Sequence, residues 1–364
     1  MGRSEVTTRL LAYAAPPHHG ALLLGDRRIG KTSLLNAIQG PLIDAGHLVV
    51  RVSAETDSLE RFADSLLTAL RASAGPNWAF GMEGQITVNV GVAAITVRGQ
   101  AIRGKEIVEH DLFSLCEQSA RSRGPYRVVF LLDEITVLAT QLARDDPDRA
   151  REFLRMLRRA RQSSSRIAMF LSGSIGLHHA LPDEVEVNDL QRVHVDVLPR
   201  SDALVLARGL IRGGELNVTS ETGVADTMVE LTHGFPFFIH GLAQELQNRG
   251  GSISSEDVQA AFSRCLAEDS WNVRHYRARI DDYYQEDAFV ALALLDLIAL
   301  TDHPIGVDEL MEVAPVAIHA VSRDDIMSVL ARLEADHYLR RVGNKNTMAN
   351  GLMRAFWLHL RRLT

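Results

Sequence analysis

The sequence has few cysteines and no long apolar run. Its 364 residues include two cysteines, Cys116 and Cys265, which lie far apart and lack the spacing of metal ligands. This usage fits a reducing compartment and gives no basis for a disulfide or a zinc site. The longest apolar run, residues 289–300, is interrupted by Asp296 and is too short to cross a bilayer, so it predicts a buried helix.

Positive charge is also not in excess. The net charge of −7 and the pI near 6.1 argue against a surface coated for nucleic-acid binding, so only local basic patches come into question. The first residues lack the basic, apolar and small-residue progression of a signal peptide. We therefore expect a cytoplasmic protein without membrane contact. An apolar content of 46% suffices for real cores, and the length indicates about two to three domains.

A glycine-rich segment, residues 25–32, stands between a short apolar run and a helix-forming run. It reads Gly-x4-Gly-Lys-Thr, in which the glycines allow a tight turn and successive backbone N–H groups can point at an anion. In this frame Lys31 reaches the β- and γ-phosphates and the Thr32 hydroxyl ligates Mg²⁺. The predicted phosphate-binding residues are Gly25, Asp26, Arg27, Arg28, Ile29, Gly30, Lys31, Thr32 and Ser33.

A second chemical signal follows an apolar strand that ends in Asp133 and Glu134. Acidic residues at the carboxyl end of a buried parallel strand lie on the edge where α/β sheets bind ligands. In P-loop ATPases this Asp serves the Mg²⁺ shell, and a following Glu can orient or activate water. The alternative is an ordinary helix N-cap, which the upstream phosphate loop makes the weaker interpretation. A further strand ends at Ser172, whose hydroxyl could contact the γ-phosphate or the water.

At least five strands separated by helices predict an α/β fold with a doubly wound parallel sheet. Residues 85–98 alternate around a glycine and predict an inserted β-hairpin, and a helix is expected over about 106–122. The chain after residue 200 is mostly helical, and its last part predicts three helices and a hairpin, as in a winged helix-turn-helix. We expect an α/β core over 1–200, a helical lid over 201–285 and the winged helix over 286–364.

Residues 148–161 form a predicted basic helix. Its charged face has two interpretations: it is solvated, or it contacts nucleic acid or the nucleotide of a neighbouring subunit. Its arginines are Arg149, Arg151, Arg155, Arg158, Arg159 and Arg161. The predicted winged helix carries modest charge for contacts to phosphates, so DNA binding and protein docking both stay open for it.

With these motifs placed, the chain resembles the archaeal-type ATPases, P-loop proteins related to AAA+ and STAND switch ATPases. The resemblance is carried by the phosphate loop, by Leu132-Asp133-Glu134 as the end of a Walker B strand, and by Ser172-Gly173-Ser174 at the sensor strand. Gly234-Phe235-Pro236 is similar to the motif that stands where AAA+ proteins carry a second sensor. Residues 2–5 are similar to a shortened N-terminal Gly-Arg box.

The resemblance implies that ATP and Mg²⁺ bind between the core and the lid, with Pro236 contributing from the lid. Lys31, Glu134 and Ser172 would be catalytic, and Arg192 or the basic helix would supply an arginine finger, within the chain or between subunits of a homo-oligomer. The implied function is an ATP-driven switch that acts through a protein or DNA partner in a prokaryotic defence or mobile-element system. Two alternatives are an ATP-dependent DNA-binding regulator or loader, and a nucleotide-holding scaffold with little turnover.

Overall fold

The computed structural model describes residues 2–56, 58–74, 85–90, 93–98, 108–111, 127–173, 176–180, 185–313 and 321–363. The chain divides into two compact units, the first over residues 3–195 and the second over residues 196–364 together with 1–2. Among the helices described, none is both long and apolar enough to cross a membrane.

The first unit is built on parallel strands. In chain order its strands are β1 (Gly20–Leu24), β2 (Leu48–Ser53), β3 (Gln85–Val90), β4 (Ala93–Arg98), β5 (Val108–Asp111), β6 (Val128–Asp133), β7 (Ile167–Ser172) and β8 (Gln191–His194). Five of them form one parallel sheet in the order β2-β6-β7-β1-β8. Every residue of β6 and β7 is buried, as expected for central strands covered on both faces.

The sheet is covered by amphipathic helices whose apolar faces pack on it. They are α1 (Ser4–Tyr13), α2 (Lys31–Asp44), α3 (Leu59–Ala74), α4 (Ile135–Asp145) and α5 (Pro147–Ser163). Phe62 of α3 and Phe153 of α5 meet edge to face, with ring centroids 5.6 Å apart. Such T-shaped pairs add to the stability that burial gives.

The predicted hairpin is present, since β3 and β4 pair in antiparallel fashion from Gln85↔Arg98 to Val90↔Ala93. The helix predicted over about 106–122 is wrong at residues 108–111, which form β5 and pair in parallel with β3. Pairing with a neighbouring strand outweighed local helix propensity, which is a weak determinant. The other residues of that predicted helix lie outside the described part of the chain.

The second unit is helical apart from one hairpin. Its elements are α6 (Arg200–Gly213), α7 (Glu221–Thr232), α8 (Pro236–Arg249), α9 (Ser255–Ala267), α10 (Arg274–Tyr284), α11 (Ala288–Leu300), α12 (Val307–Val313), α13 (Arg323–Ala335), β9 (Leu339–Val342), β10 (Lys345–Met348) and α14 (Gly351–Arg361). The sequence did not predict α10. From α11 onward the elements follow the predicted order of three helices and a hairpin.

An aromatic core joins the predicted lid to the predicted winged helix. The ring of Phe356 lies 5.0 Å from Phe238, 6.4 Å from Trp271 and 6.0 Å from Tyr276. The hydroxyl of Tyr338 donates to the Tyr276 carbonyl at 2.7 Å. Residues from both predicted domains therefore contribute to one hydrophobic core, and the division of this unit at residue 285 remains a prediction.

Candidate nucleotide-binding site

The two glycines of the phosphate loop are required for different reasons. Gly25 has φ 150°, and a Cβ there would lie 2.4 Å from the Val195 carbonyl oxygen, which is part of a backbone that cannot easily yield. Gly30 has φ 103° and caps α2, in a conformation that side chains disfavour. Gly25 is required because the chain after β8 approaches it closely, and Gly30 is required because of its backbone conformation.

Lys31 begins α2 and is 5% exposed. Its ammonium donates to the carbonyl oxygens of Gly25 and Asp26, both at 2.7 Å. A buried ammonium needs such acceptors. The side chain therefore folds back over the loop.

Arg3 also holds the loop. Its Nη2 donates to the Ile29 carbonyl at 2.6 Å, and the guanidinium stands about 3.9 Å from a Cβ built on Gly30. This contact fixes the peptide that leads into Gly30. The sequence marked residues 2–5 only through family resemblance, and no local signal connects Arg3 with a loop more than twenty residues away.

Asp133 and Ser172 meet at the carboxyl edge of the sheet. They end the neighbouring strands β6 and β7, which pair in register up to Leu132↔Leu171. Asp133 is 6% exposed and Ser172 is fully buried. The Ser172 hydroxyl donates a short hydrogen bond to Asp133 Oδ1. The structure thus places Ser172 on the carboxylate, while Ser174 lies outside the described residues.

Glu134 adopts a left-handed backbone, with φ 55° and ψ 30°, at the N-cap of α4. This conformation is uncommon for a residue with a side chain and often occurs at functional sites. The end of β7 reaches the same turn, because a Cβ on Gly173 would lie 1.9 Å from Thr136 Oγ1. The glycine of the Ser172-Gly173 pair is therefore required by packing against the first turn of α4.

The donor set at this edge fits Mg²⁺. Thr32 lies in the first turn of α2 and is exposed, and Asp133 provides a carboxylate. Hydroxyl and carboxylate oxygens are the ligands that Mg²⁺ prefers, with water and substrate phosphates completing its shell. The two residues are the ones predicted for this role.

One predicted site residue of the first unit, Arg192, does not lie at this edge. Arg192 is exposed in β8, where it lies opposite Leu22 of β1. The carboxyl end of β8 is His194, which lies opposite Leu24. Pro236 begins α8 in the second unit. The preceding Gly234 packs against the chain that enters this unit, because a Cβ there would lie 2.6 Å from the Leu198 carbonyl oxygen.

The basic helix, α5, uses several of its arginines internally. Arg161 is fully buried and binds both carboxylate oxygens of Asp189, at 2.6 and 2.8 Å. Burial alone would raise the pKa of Asp189, yet the hydrogen bonds and charge of Arg161 hold it below its ordinary value. Arg155 contacts Glu186 at 3.2 Å and Arg158 donates to the Val185 carbonyl at 2.9 Å. These three arginines fasten residues 185–189 to the helix.

The family model of the AAA domain matches residues 19–181, which contain the phosphate loop, Asp133-Glu134 and Ser172. Residues 19–181 are therefore similar to an AAA-type P-loop ATPase domain. The family match confirms the predicted ATPase class. No protein with a curated description matches the chain.

A Walker-type ATPase of Pyrococcus abyssi has a similar structure, with a TM-score of 0.67 and 18% identity over 99% of this chain and 95% of that one. This match confirms the predicted fold of the ATPase. A RuvB mutant of Thermotoga maritima matches with TM-score 0.42 and 13% identity, over 95% and 91% of the two chains. The ORC2 protein of Aeropyrum pernix, in ADPNP and ADP complexes, matches with TM-score 0.42 and 15% identity, over 98% and 91%.

Proposed function

We propose that this ATPase is a conformational switch whose nucleotide state changes what its C-terminal unit binds. The observation that carries the proposal is the hydrogen bond from Ser172 to Asp133 at the carboxyl edge of the sheet, whose strand β1 leads into the phosphate loop that holds Lys31. This edge is where parallel α/β sheets bind their ligands. The residues supply phosphate binding and a metal-binding carboxylate next to Glu134.

Binding begins with an exchange of hydrogen-bond partners at Lys31. Phosphate oxygens of ATP would replace the carbonyl oxygens of Gly25 and Asp26 on the ammonium. A hydrogen bond between two ions is stronger than one to a neutral carbonyl, so the exchange favours the bound state. Backbone N–H groups of residues 25–32 and the N-terminus of α2 add to the attraction for the anion.

Thr32 and Asp133 would hold Mg²⁺, which when bound neutralises charge that develops on the phosphates. The hydrogen bond from Ser172 fixes the orientation of Asp133. We therefore assign Ser172 a positioning role through this carboxylate. Glu134 follows directly and would accept a proton from the attacking water or orient it.

The charges of the C-terminal elements favour a protein partner over duplex DNA. Arg323 at the start of α13 binds Asp308 at 2.8 Å, and Lys345 of β10 lies 3.7 Å from Glu309. Such pairing lowers the attraction for backbone phosphates. Arg340 and Arg341 are exposed on β9, so the hairpin is the surface that supports the DNA alternative. The resemblance to archaeal-type ATPases is the support for a role in prokaryotic defence or in a mobile element.

The catalytic part of the proposal is tested with Lys31→Ala and Glu134→Gln. We expect Lys31→Ala to weaken ATP binding about a hundredfold or more, because it removes a buried charge contact. Glu134→Gln should keep the affinity and slow single-turnover hydrolysis about 10²–10⁴-fold. Glu152→Gln, at an exposed site on α5, is the matched control. A Glu134→Gln protein that hydrolyses ATP at the wild-type rate would refute the assignment.

The switch itself is tested by capture of partners. Glu134→Gln loaded with ATP and Lys31→Ala without nucleotide should retain different partners, scored for both protein and nucleic acid. Equal capture by the two forms would contradict a switch. Slow wild-type hydrolysis in a single turnover would instead indicate the nucleotide-holding scaffold.

A further inference from the structure

A cleft of about 670 Å³ lies in the second unit, where the end of α9, the start of α10 and the last turn of α14 meet. It is lined by Ala267, Arg274, His359, Leu360 and Arg362. Two guanidinium groups and an imidazole thus share one cleft. Of the described residues that line it, none is an Asp or a Glu. The residues that line the cleft belong to the second unit, and those of the phosphate loop belong to the first.

Arg274 is not explained by the stability of its own helix. It is the first residue of α10, and the first turn of that helix contains no acidic residue. A cation at a helix N-terminus is disfavoured, because the helix dipole is positive there. Asp269 offsets part of this cost by binding Arg274 Nε at 3.2 Å, while its other oxygen accepts from the Val273 N–H at 2.6 Å. The pair fixes the guanidinium at the rim of the cleft.

Arg362 is also not required by local structure. It follows α14 with φ 54° and ψ 45°, a left-handed conformation that favours glycine. The last carbonyls of the helix are satisfied by the backbone N–H groups of Arg362 and Leu363, at 3.2 and 3.0 Å. A glycine would donate the first of these bonds equally well. A cation interacts favourably with a helix C-terminus. This interaction can also be made from the last helical turn, so it does not explain why Arg362 occupies the left-handed position.

We propose that this cleft is a second anion site that binds phosphate groups. Arg274 and Arg362 would each donate charge-assisted hydrogen bonds to phosphate oxygens, and His359 a further hydrogen bond. The volume exceeds that of a single phosphate, so a chain of phosphates fits. Such a chain can be the backbone of a nucleic acid or a free oligophosphate, and the experiment separates these sources.

The experiment measures two probes in the full chain carrying Lys31→Ala, which removes the contribution of the phosphate loop. Tripolyphosphate binding is measured by calorimetry, and binding of a short duplex DNA by fluorescence anisotropy over a series of salt concentrations. The proposed ATPase mechanism is tested separately by Glu134→Gln in the otherwise wild-type chain. Failure of one proposal is therefore distinguishable from failure of the other.

Arg362→Gly is the decisive variant. It should weaken binding of at least one probe about tenfold, while the midpoint of thermal unfolding stays the same or rises, because glycine suits the left-handed position. The double variant Arg274→Ala/Arg362→Gly should weaken binding about a hundredfold. For DNA, it should also reduce the slope of log affinity against log salt by about 2, since each lost phosphate contact removes about 0.9. The control is Arg212→Ala, which removes an exposed arginine that is paired with Glu221 in the same unit.

A loss confined to tripolyphosphate would identify a free oligophosphate, and a loss confined to DNA would identify a nucleic-acid backbone. Both results support the site. The proposal is overturned if neither probe binds the Lys31→Ala chain, or if the cleft variants bind both probes as that chain does. An equal loss in Arg212→Ala would also overturn it, because the effect would then reflect overall charge.

Discussion

In the first unit the buried polar side chains of the candidate site gather at the carboxyl edge of the sheet, whereas in the second unit buried polar groups lie among aromatic rings. Asp133 and Ser172 are hydrogen-bonded at the ends of their strands, and Lys31 donates to carbonyls of the loop that follows β1 of the same sheet. Tyr284, in contrast, donates to Asp336 at 2.8 Å, and both are buried. Burial, reinforced by the adjacent carboxylate, raises the pKa of Tyr284 above its ordinary value. The phenol therefore stays protonated and serves as a fixed donor.

These two buried contacts differ in position, since one ends two strands of a sheet and the other lies between helices. Asp296 of α11 accepts from Trp357 Nε1 at 2.8 Å and binds Arg361 through both oxygens, at 2.7 and 2.9 Å. These hydrogen bonds connect α14 to α11, and the charge of Asp296 is balanced by that of Arg361. In the function we propose, the contacts of Lys31 with the loop carbonyls are instead exchanged for phosphate oxygens. Variants in the two units should accordingly change different measured quantities.

The largest effect is expected for Phe356→Ala in the aromatic core. The side chain is 1% exposed and contacts three other rings, so its removal should lower the free energy of unfolding by about 3–5 kcal/mol. Phe289→Ala, where the side chain is 57% exposed, is the control and should change it by less than about 0.5 kcal/mol. The free energy of unfolding of both variants is measured by urea unfolding. A similar loss in the two variants would contradict the role of the Phe356 ring in the aromatic core.

Gly25→Ala should come next, because a Cβ would force the loop away from the Val195 carbonyl. We expect a strain of about 1–3 kcal/mol, which corresponds to ATP affinity that is weaker by about 5- to 150-fold. Gly40→Ala in α2 meets no atom within 4 Å and should stabilise the chain by about 0.5–1 kcal/mol without changing affinity. The affinity of each variant is measured by titration with a fluorescent ATP analogue. Unchanged affinity in Gly25→Ala would show that the loop tolerates the shift.

Ser172→Ala tests whether the edge contacts serve catalysis. Losing the hydrogen bond to Asp133 should lower turnover about tenfold and raise the Mg²⁺ concentration needed for half-maximal rate. The free energy of unfolding should fall by only about 1 kcal/mol. Ser164→Ala removes another buried serine, whose hydroxyl accepts from the Arg166 N–H, and should leave the Mg²⁺ dependence unchanged. A parallel shift in both variants would contradict a specific role for Ser172.

The smallest effect concerns pH and a helix start in the second unit. The Ser254 backbone N–H, together with Arg249 and the Ser254 hydroxyl, lowers the pKa of Asp257 to about 2. An unfolded Asp titrates near 4, so this carboxylate stabilises the fold fully above about pH 4 and loses its effect as the pH falls toward 2. In Asp257→Asn, the urea midpoint should fall less steeply than in the wild type as the pH is lowered from about 4 to about 2. Glu256→Gln, at the exposed neighbouring site, should retain the wild-type slope.

Much of the fold and part of the candidate site could be predicted because their signals are local. The phosphate loop combines glycines, a lysine and a following helix within a few residues, and the strand before Asp133-Glu134 is marked by its continuous apolar run. The hairpin of residues 85–98 was predicted from alternation around a glycine, and the C-terminal hairpin from the polar residues of its turn. The family match confirms the ATPase class to which these motifs pointed.

Predictions failed or were missing where distant residues decide the outcome. Residues 108–111 became β5 by pairing with β3, against a local helix pattern. Arg161 seemed to belong to a charged surface, yet it is buried on Asp189. Arg3 reaches the phosphate loop, which no spacing in the sequence could indicate.

The chemical groups of this ATPase and most of the elements that carry them could be derived from the amino-acid sequence, because helix and strand periodicity and loop motifs are properties of neighbouring residues. Which of these groups come together depends on the tertiary structure. Strand register brings Ser172 to Asp133, and helix packing places Arg274 and Arg362 around one cleft. Contacts between residues far apart in the chain depend on how whole elements pack, and that packing minimises the free energy of the complete fold rather than of any segment.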